Sequence, residues 1–256
     1  MLDLLGPVAT FVLGAVVGSF LNVVIYRLPL GQSVAFPSSR CPRCERPVRA
    51  RHNVPLVGYL LLGGKCYDCR AAISVRYPLV EFLMGALSTG LWLHLGPSLE
   101  FCAAFVFAAG LVAVTFIDLD HGIIPDCLSL GGVVFGFVFS FFTPVGWKAS
   151  LLGLALGGGS LLAVALGYER LTGREGMGLG DVKLLAAIGA FLGWRAVVFT
   201  ILVSSIVGSV VGVLAMLVRN SDLRLEVPFG PFLALGALSY VYWGAAAIEW
   251  YGGLWV

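Results

Sequence analysis

Charged residues are scarce in this sequence. Asp, Glu, Lys and Arg make up 12% of its 256 residues, whereas 59% are hydrophobic. An ordinary soluble domain carries about 25% charged residues. So few charges cannot cover a water-soluble surface of this size, which excludes a soluble globular domain. The composition predicts a protein that crosses a membrane several times.

Motifs for two common kinds of chemistry are also missing. The sequence has no Gly-x-Ser-x-Gly element, which marks the serine nucleophile of α/β hydrolases, and no Walker A motif for nucleotide phosphates. We find no internal repeat and no low-complexity tract either. Covalent catalysis through such a serine and P-loop nucleotide hydrolysis are therefore not supported.

Eight apolar segments predict an all-α polytopic membrane protein with about eight transmembrane helices. The first is read as a retained helix, because no basic segment precedes it and Arg27 follows it. We divide the chain into a first transmembrane helix at 1–27, a polar insert at 28–76 and a transmembrane core at 77–256. The predicted spans are 8–25, 77–95, 99–117, 127–142, 150–168, 182–192, 196–218 and 232–250.

Basic residues are distributed unevenly between the predicted loops, and such an asymmetry indicates orientation. With both termini outside the cytoplasm, the outer loops hold only Lys148 and Arg195. The insert is then cytoplasmic, and so are the acidic residues at the ends of several spans. The basic residues assigned to the cytoplasmic side are Arg27, Arg40, Arg43, Arg46, Arg49, Arg51, Lys65, Arg70, Arg76, Arg170, Arg174, Lys183, Arg219 and Arg224.

The insert contains two Cys-x-x-Cys pairs whose spacing is close to that of four-thiolate zinc ribbons. We predict a structural zinc site, since four thiolates leave no open position for catalysis. Two disulfides, or reduced thiols without a metal, are the alternatives. The prolines of the insert favour short strands and turns over helix. The predicted ligands are Cys41, Cys44, Cys66 and Cys69.

Two further cysteines stand alone. Cys102 and Cys127 each lie in an apolar segment. Small apolar packing residues are the simplest interpretation of both.

Aspartates cluster at the ends of two apolar segments. Asp118 and Asp120 end one segment, and Asp181 follows a glycine-rich stretch and precedes another. Carboxylates are costly near a bilayer, so their convergence on one membrane face predicts function. If two of them meet, one keeps its proton while the other stays charged, and together they can direct water onto an amide.

Simpler roles compete for each of these charges. Asp126 follows Pro125 and has the position of a helix N-cap, and Asp181 could cap the helix that begins at residue 182. Asp118 and Asp120 could be solvated charges where a span ends. Lys183 does not share a helix face with Asp181, so an interfacial lysine is the simpler interpretation.

Several motifs in order carry a resemblance to a known family. Beside the cysteine pairs they are Gly18-Ser19-Phe20-Leu21-Asn22 with Arg27-Leu28-Pro29, Arg76-Tyr77-Pro78-Leu79-Val80-Glu81, Ile117-Asp118-Leu119-Asp120-His121, Ile124-Pro125-Asp126 and Glu175-Gly176-Met177-Gly178-Leu179-Gly180-Asp181-Val182-Lys183. Together these motifs span nearly the whole chain. The sequence resembles the bacterial type IV prepilin peptidases, which are intramembrane aspartic proteases.

The resemblance implies a specific activity. Asp118 and Asp181 are implied to be the catalytic pair, acting at the cytoplasmic face of the bacterial inner membrane. The implied substrates are type IV prepilins and type II secretion pseudopilins. Cleavage after a glycine removes their short basic leader. N-methylation of the new N-terminus with S-adenosylmethionine is also implied. Membrane lipid is the other implied partner. The resemblance implies no nucleic-acid partner.

Two other functions are alternatives to this one. A proton-coupled transporter or channel would place its carboxylates at mid-bilayer depth, whereas these lie at the ends of spans. A non-catalytic assembly protein anchored by a zinc module would tolerate neutral replacements of the carboxylates. Asp120, two positions from Asp118, points to a different helix face and is the main rival for the first catalytic position.

Overall fold

The computed structural model describes residues 2–173, 176–219 and 228–253. Arg174, Glu175 and Arg224, which figured in the sequence predictions, lie outside these ranges. The described chain has one 3-10 turn, Ala50–His52, no strand, and nine α-helices: α1 Leu2–Arg27, α2 Val57–Leu61, α3 Arg76–Leu95, α4 Leu99–His121, α5 Asp126–Ser140, α6 Gly146–Thr172, α7 Leu179–Leu192, α8 Trp194–Arg219 and α9 Gly230–Gly253. The predicted all-α fold is confirmed.

Each of the eight predicted spans overlaps one long helix, but the helices differ in their capacity to cross a membrane. Within the described residues, five are long and apolar enough to do so: α1, α3, α4, α6 and α8. The helix α5 is apolar but has only 15 residues, and α7 has 14. About 20 residues are needed for an untilted crossing. The chain is therefore a multi-pass membrane protein.

The chain forms two compact units, 1–113 and 114–256, and α4 runs from one into the other. In the first unit, glycines allow α1 and α3 to pack closely against each other. A Cβ atom added to Gly14 would lie 2.7 Å from Cβ of Ser88, and one added to Gly18 would lie 2.8 Å from Cα of Glu81. Only glycine permits such an approach, as at other small-residue helix interfaces in membranes.

The insert differs from its prediction in two respects. It contains the short helix α2 and isolated bridges instead of strands. It also holds a short repeat that the sequence analysis missed. Around Cys41 and around Cys66, the chain makes the same turn, in which the residue four positions on donates its backbone N–H to the cysteine carbonyl oxygen. Those residues, Glu45 and Arg70, both have positive φ, and the bridges Arg40–Pro47 and Lys65–Ala72 close the two turns.

In the second unit, the short helix α7 is the buried centre. Nine of its 14 residues are buried, and α5, α6, α8 and α9 pack around it. A glycine allows α5 to pack closely against α7. A Cβ atom on Gly136 of α5 would lie 2.8 Å from the backbone nitrogen of Phe191. Ser150 of α6 donates a hydrogen bond of 2.7 Å to the carbonyl oxygen of Ala190. A helix that is packed against protein on all sides is apolar around its whole circumference. The sequence of α7 therefore resembles a short transmembrane segment.

Candidate functional site

Asp118 lies in the last turn of α4, in the second unit. Its residue is only 6% exposed. Its Oδ2 atom accepts a hydrogen bond of 2.9 Å from the backbone N–H of Gly230, the first residue of α9. The N-terminus of a helix carries unpaired N–H groups and a partial positive charge, both of which favour an anion. The fold therefore gives this carboxyl a partner that stabilises its ionised form.

Asp181 lies in the first turn of α7, outside the five helices that are long enough to cross a membrane. Burial, the larger cause, and the negative charge of Asp118 together raise the pKa of Asp181 to about 6. Mutual repulsion of this kind makes one carboxyl of a close pair retain its proton.

The two aspartates line one cavity of about 260 Å³. Its other walls come from the α4–α5 loop and from the glycine-rich start of α7. Asp120, in contrast, is exposed and does not line this cavity. The remaining lining residues are Gly122, Ile123, Ile124, Asp126, Gly178 and Gly180.

Ile124 packs between the two glycines that flank the aspartates. A Cβ atom on Gly180 would lie 3.0 Å from Cβ of Ile124, and one on Gly230 would lie 3.4 Å from its Cδ1 atom. The loop reaches this position because Gly122, with φ of +64°, turns the chain directly after α4. Its backbone N–H donates to the carbonyl oxygen of Asp118 at 2.8 Å.

The capping roles predicted for Asp126 and Asp181 are wrong. Pro125 is the N-cap of α5 and Gly178 that of α7, and neither makes a side-chain capping bond. Asp126 instead accepts a hydrogen bond of 2.6 Å from Nζ of Lys183. This ion pair joins the first turns of α5 and α7, so Lys183 is a partner of the site and not only an interfacial lysine.

Sequence reasoning missed Gly230 and Ile124. The available signal for Gly230 was the run Pro228-Phe229-Gly230-Pro231. Proline early in a helix and glycine beside it mark a helix start. The predicted span began at residue 232, so this start, and its bearing on Asp118, was not recognised.

The four predicted ligand cysteines come together in the insert. Their Sγ atoms all lie within 4.8 Å of one another, and those of Cys41 and Cys69 are 3.8 Å apart. Sulfurs about 2.3 Å from a tetrahedral zinc ion are about 3.8 Å apart. The donor set therefore fits zinc.

Contacts between the two cysteine turns hold them face to face. Asp68 of the second turn lies 3.3 Å from Arg46 and 3.6 Å from Arg49 of the first. The Arg49 guanidinium also lies over the ring of Tyr67, 4.3 Å from its centroid.

The packing role predicted for Cys102 and Cys127 is wrong, since both are exposed.

Two family models match this chain. Residues 12–95 match the Bacterial Peptidase A24 N-terminal domain, and residues 105–213 match the Type IV leader peptidase family. No solved structure matches the chain significantly.

Curated relatives cover most of the chain. Those from three organisms are all called prepilin leader peptidase/N-methyltransferase. The one from Aeromonas salmonicida is 39% identical over 94% of this chain and 92% of its own length. The one from Pseudomonas aeruginosa is 40% identical over 92% and 89%. The relative of the same name from Burkholderia pseudomallei is 37% identical over 94% and 87%.

Proposed function

Because the chain belongs to the type IV leader peptidase family, we propose that it removes the basic leader of type IV prepilins and type II secretion pseudopilins. The observation that carries the mechanism is the cavity that Asp118 and Asp181 line together. Aspartic proteases have this arrangement, in which two carboxyls line one cavity and one is protonated while the other is ionised. The chemistry is general acid–base hydrolysis by water.

The surroundings of the two aspartates support distinct roles. Asp118 is the base, because the N–H of Gly230 at the N-terminus of α9 donates to its carboxylate and offsets part of the cost of burying its charge. Asp181 is the acid, because burial and the charge of Asp118 raise its pKa to about 6. The sequence alone left this assignment open.

The proton movements then balance over the reaction. Asp118 takes a proton from water as the water oxygen bonds to the scissile carbonyl carbon, and Asp181 gives its proton to the carbonyl oxygen. The resulting diol collapses: Asp118 delivers its proton to the leaving nitrogen as the C–N bond breaks, and one diol hydroxyl returns a proton to Asp181. Both side chains finish in their starting states.

The charge pattern supports the substrate and the orientation. A prepilin carries a cationic leader before an apolar helix, so its scissile bond lies at a membrane boundary. Asp118, the charged member of the pair, lines the cavity, and its negative charge attracts a cationic leader. We place the site at the cytoplasmic face of the inner membrane, with both termini outside the cytoplasm and about eight spans, from the asymmetry of basic loop residues.

We also propose N-methylation of the new N-terminus with S-adenosylmethionine, in keeping with the names of the relatives. A zinc ion held by Cys41, Cys44, Cys66 and Cys69 has a structural role in the insert, because four thiolates fill its coordination shell.

The decisive experiment is prepilin cleavage by purified Asp118→Asn and Asp181→Asn variants. Each should lose at least about 10²-fold in kcat/KM, the usual contribution of an acid or base. Asp120→Asn is the matched control and should cleave within about threefold of wild type. Full cleavage by either of the first two variants, or loss confined to Asp120→Asn, contradicts the assignment.

A further inference from the structure

One cavity in the first unit is not explained by peptide hydrolysis. It has a volume of about 610 Å³, larger than the space between the aspartates. One wall is a stripe of α1, and the other walls are the insert segments 34–39 and 53–55. The cavity therefore lies where a membrane helix meets a polar domain, and both apolar and polar groups line it.

Arg27 is the only charged residue among those that line this cavity. Its Nη1 atom donates to the carbonyl oxygens of Ser33 at 3.1 Å and Pro37 at 2.8 Å. Carbonyl oxygens hold a guanidinium in place without neutralising it. Within the described chain no carboxylate lies within ion-pair distance of Arg27. The cavity thus presents a fixed, uncompensated positive charge, which suits a carboxylate or another anionic group.

The other lining groups define the rest of the ligand. Ser19, Ser38, Ser39 and Asn53 supply hydroxyl and amide groups, and no hydrogen bond from these side chains to the described protein uses them. The ring of Phe20 is 51% exposed and offers an apolar face. A ligand that matches has an anionic end, several hydroxyls and a flat ring.

Glu81 holds one rim of the cavity in place. Its Oε2 atom accepts a hydrogen bond of 2.7 Å from the backbone N–H of Leu56, and the residue is only 8% exposed. Leu56 has φ of +61° and ψ of −52°, and Val57 donates back to Pro55 at 2.6 Å. This is a γ-turn of the rare, strained kind. Glu81 is thus a positioning residue for segment 53–55.

We propose that this cavity is the binding site for the methyl donor, with Arg27 pairing its carboxylate, the serines and Asn53 its sugar hydroxyls, and Phe20 its purine. The inference rests on the proposed N-methylation. S-adenosylmethionine has these three parts. When bound it supplies an electrophilic methyl group: the C–S bond breaks with its electron pair going to sulfur, the amine nitrogen of the cleaved pilin bonds to the methyl carbon, and the nitrogen releases a proton to water.

The test is equilibrium binding of radiolabelled S-adenosylmethionine to the full-length protein in detergent, with prepilin cleavage measured on the same samples. We expect Arg27→Ala and Phe20→Ala each to raise the Kd at least tenfold while cleavage stays within twofold of wild type. Arg43→Ala removes an exposed charge outside the cavity and should leave the Kd unchanged. Glu81→Leu should weaken binding, and Glu81→Gln, which keeps an acceptor oxygen, should restore most of it.

Other results would overturn the proposal. Wild-type Kd values in both Arg27→Ala and Phe20→Ala would place the donor elsewhere. Unchanged donor binding together with loss of a co-purifying anionic phospholipid in Arg27→Ala would make the cavity a lipid site. Failure of the wild-type protein to bind the donor, with normal cleavage, would remove this inference and leave the peptidase assignment intact. Donor binding without cleavage would contradict the peptidase assignment alone.

Discussion

The backbone N–H of Gly230 donates a hydrogen bond of 2.9 Å to Oδ2 of Asp118, across 112 residues of sequence. The contact brings the start of α9 against the side chain that we propose as the catalytic base. It also explains why the first residue of α9 is a glycine. A Cβ atom at this position would lie 2.6 Å from Oδ2 and 3.2 Å from Cγ of Asp118, so any side chain would displace the carboxyl.

Gly230→Ala should therefore impair peptide cleavage. We expect kcat/KM to fall at least about tenfold, because the added methyl group moves the base and weakens the bond that favours its ionised form. The measurement is cleavage of a prepilin peptide in detergent. Gly131→Ala is the control, since a Cβ atom there meets no atom within 4 Å. Equal activities of the two variants would show that this contact is dispensable.

The protonation of Asp181 should be visible without an activity assay. Carbodiimides modify protonated carboxyls, so labelling of Asp181, followed by mass spectrometry, should fall as the pH rises through about 6. In Asp118→Asn a negative charge is lost, and the midpoint should move to lower pH. Burial remains the larger cause of the shift, so the midpoint should stay above the ordinary value of about 3.9. A midpoint that rises or does not move in Asp118→Asn would contradict the coupling.

The Lys183–Asp126 pair should matter more for activity than for stability. Its side chains are 32% and 62% exposed, and exposed pairs contribute at most about 1 kcal/mol to the free energy of unfolding. The pair nevertheless joins the helix starts that carry the cavity walls. Lys183→Ala should therefore lower kcat/KM several-fold with little change in Tm.

A charge swap separates this positioning role from a simple loss of charge. Asp126→Lys combined with Lys183→Asp should recover part of the activity that either single replacement loses, because the same two turns are joined again. Prepilin cleavage by the three variants, compared in one assay, is the measurement. A double variant no better than the worse single variant would count against positioning.

Replacing Cys41 and Cys44 by serine should abolish zinc binding. We expect one zinc ion per wild-type chain by elemental analysis and none in the double variant. The insert should also be cut faster by trypsin, since the metal joins its two cysteine turns and supplies folding energy. Cys102→Ser with Cys127→Ser should keep the metal. Zinc content that is the same in both double variants would refute the site.

Apolar segments in the sequence predicted the long helices, because lipid and protein interiors both select apolar side chains. The choice of Asp118 and Asp181 came from the resemblance to a known family. Asp118 and Asp120 could not be separated by pattern, whereas in the structure one is buried at the start of α9 and the other is exposed. That difference depends on a contact with a residue more than a hundred positions away.

Features that depend on partners distant in sequence escaped prediction. Asp126 has the spacing of a helix cap, but the cation that it pairs with lies 57 residues further along the chain. The segment of α7 has the composition of a short span, although nine of its 14 residues are buried within the protein. The helix α2 lies in a stretch with proline and glycine neighbours, where local propensity favours turns. In each case tertiary packing overrides the local signal.

The glycine contacts between α1 and α3 have a consequence for substrate entry. With Gly14 and Gly18 on one helix and Gly85 on the other, backbone lies against backbone, and no gap remains for a third helix. The apolar segment of an arriving pilin must therefore dock against some other lipid-facing surface, since entry between α1 and α3 would require their tightly packed backbones to separate.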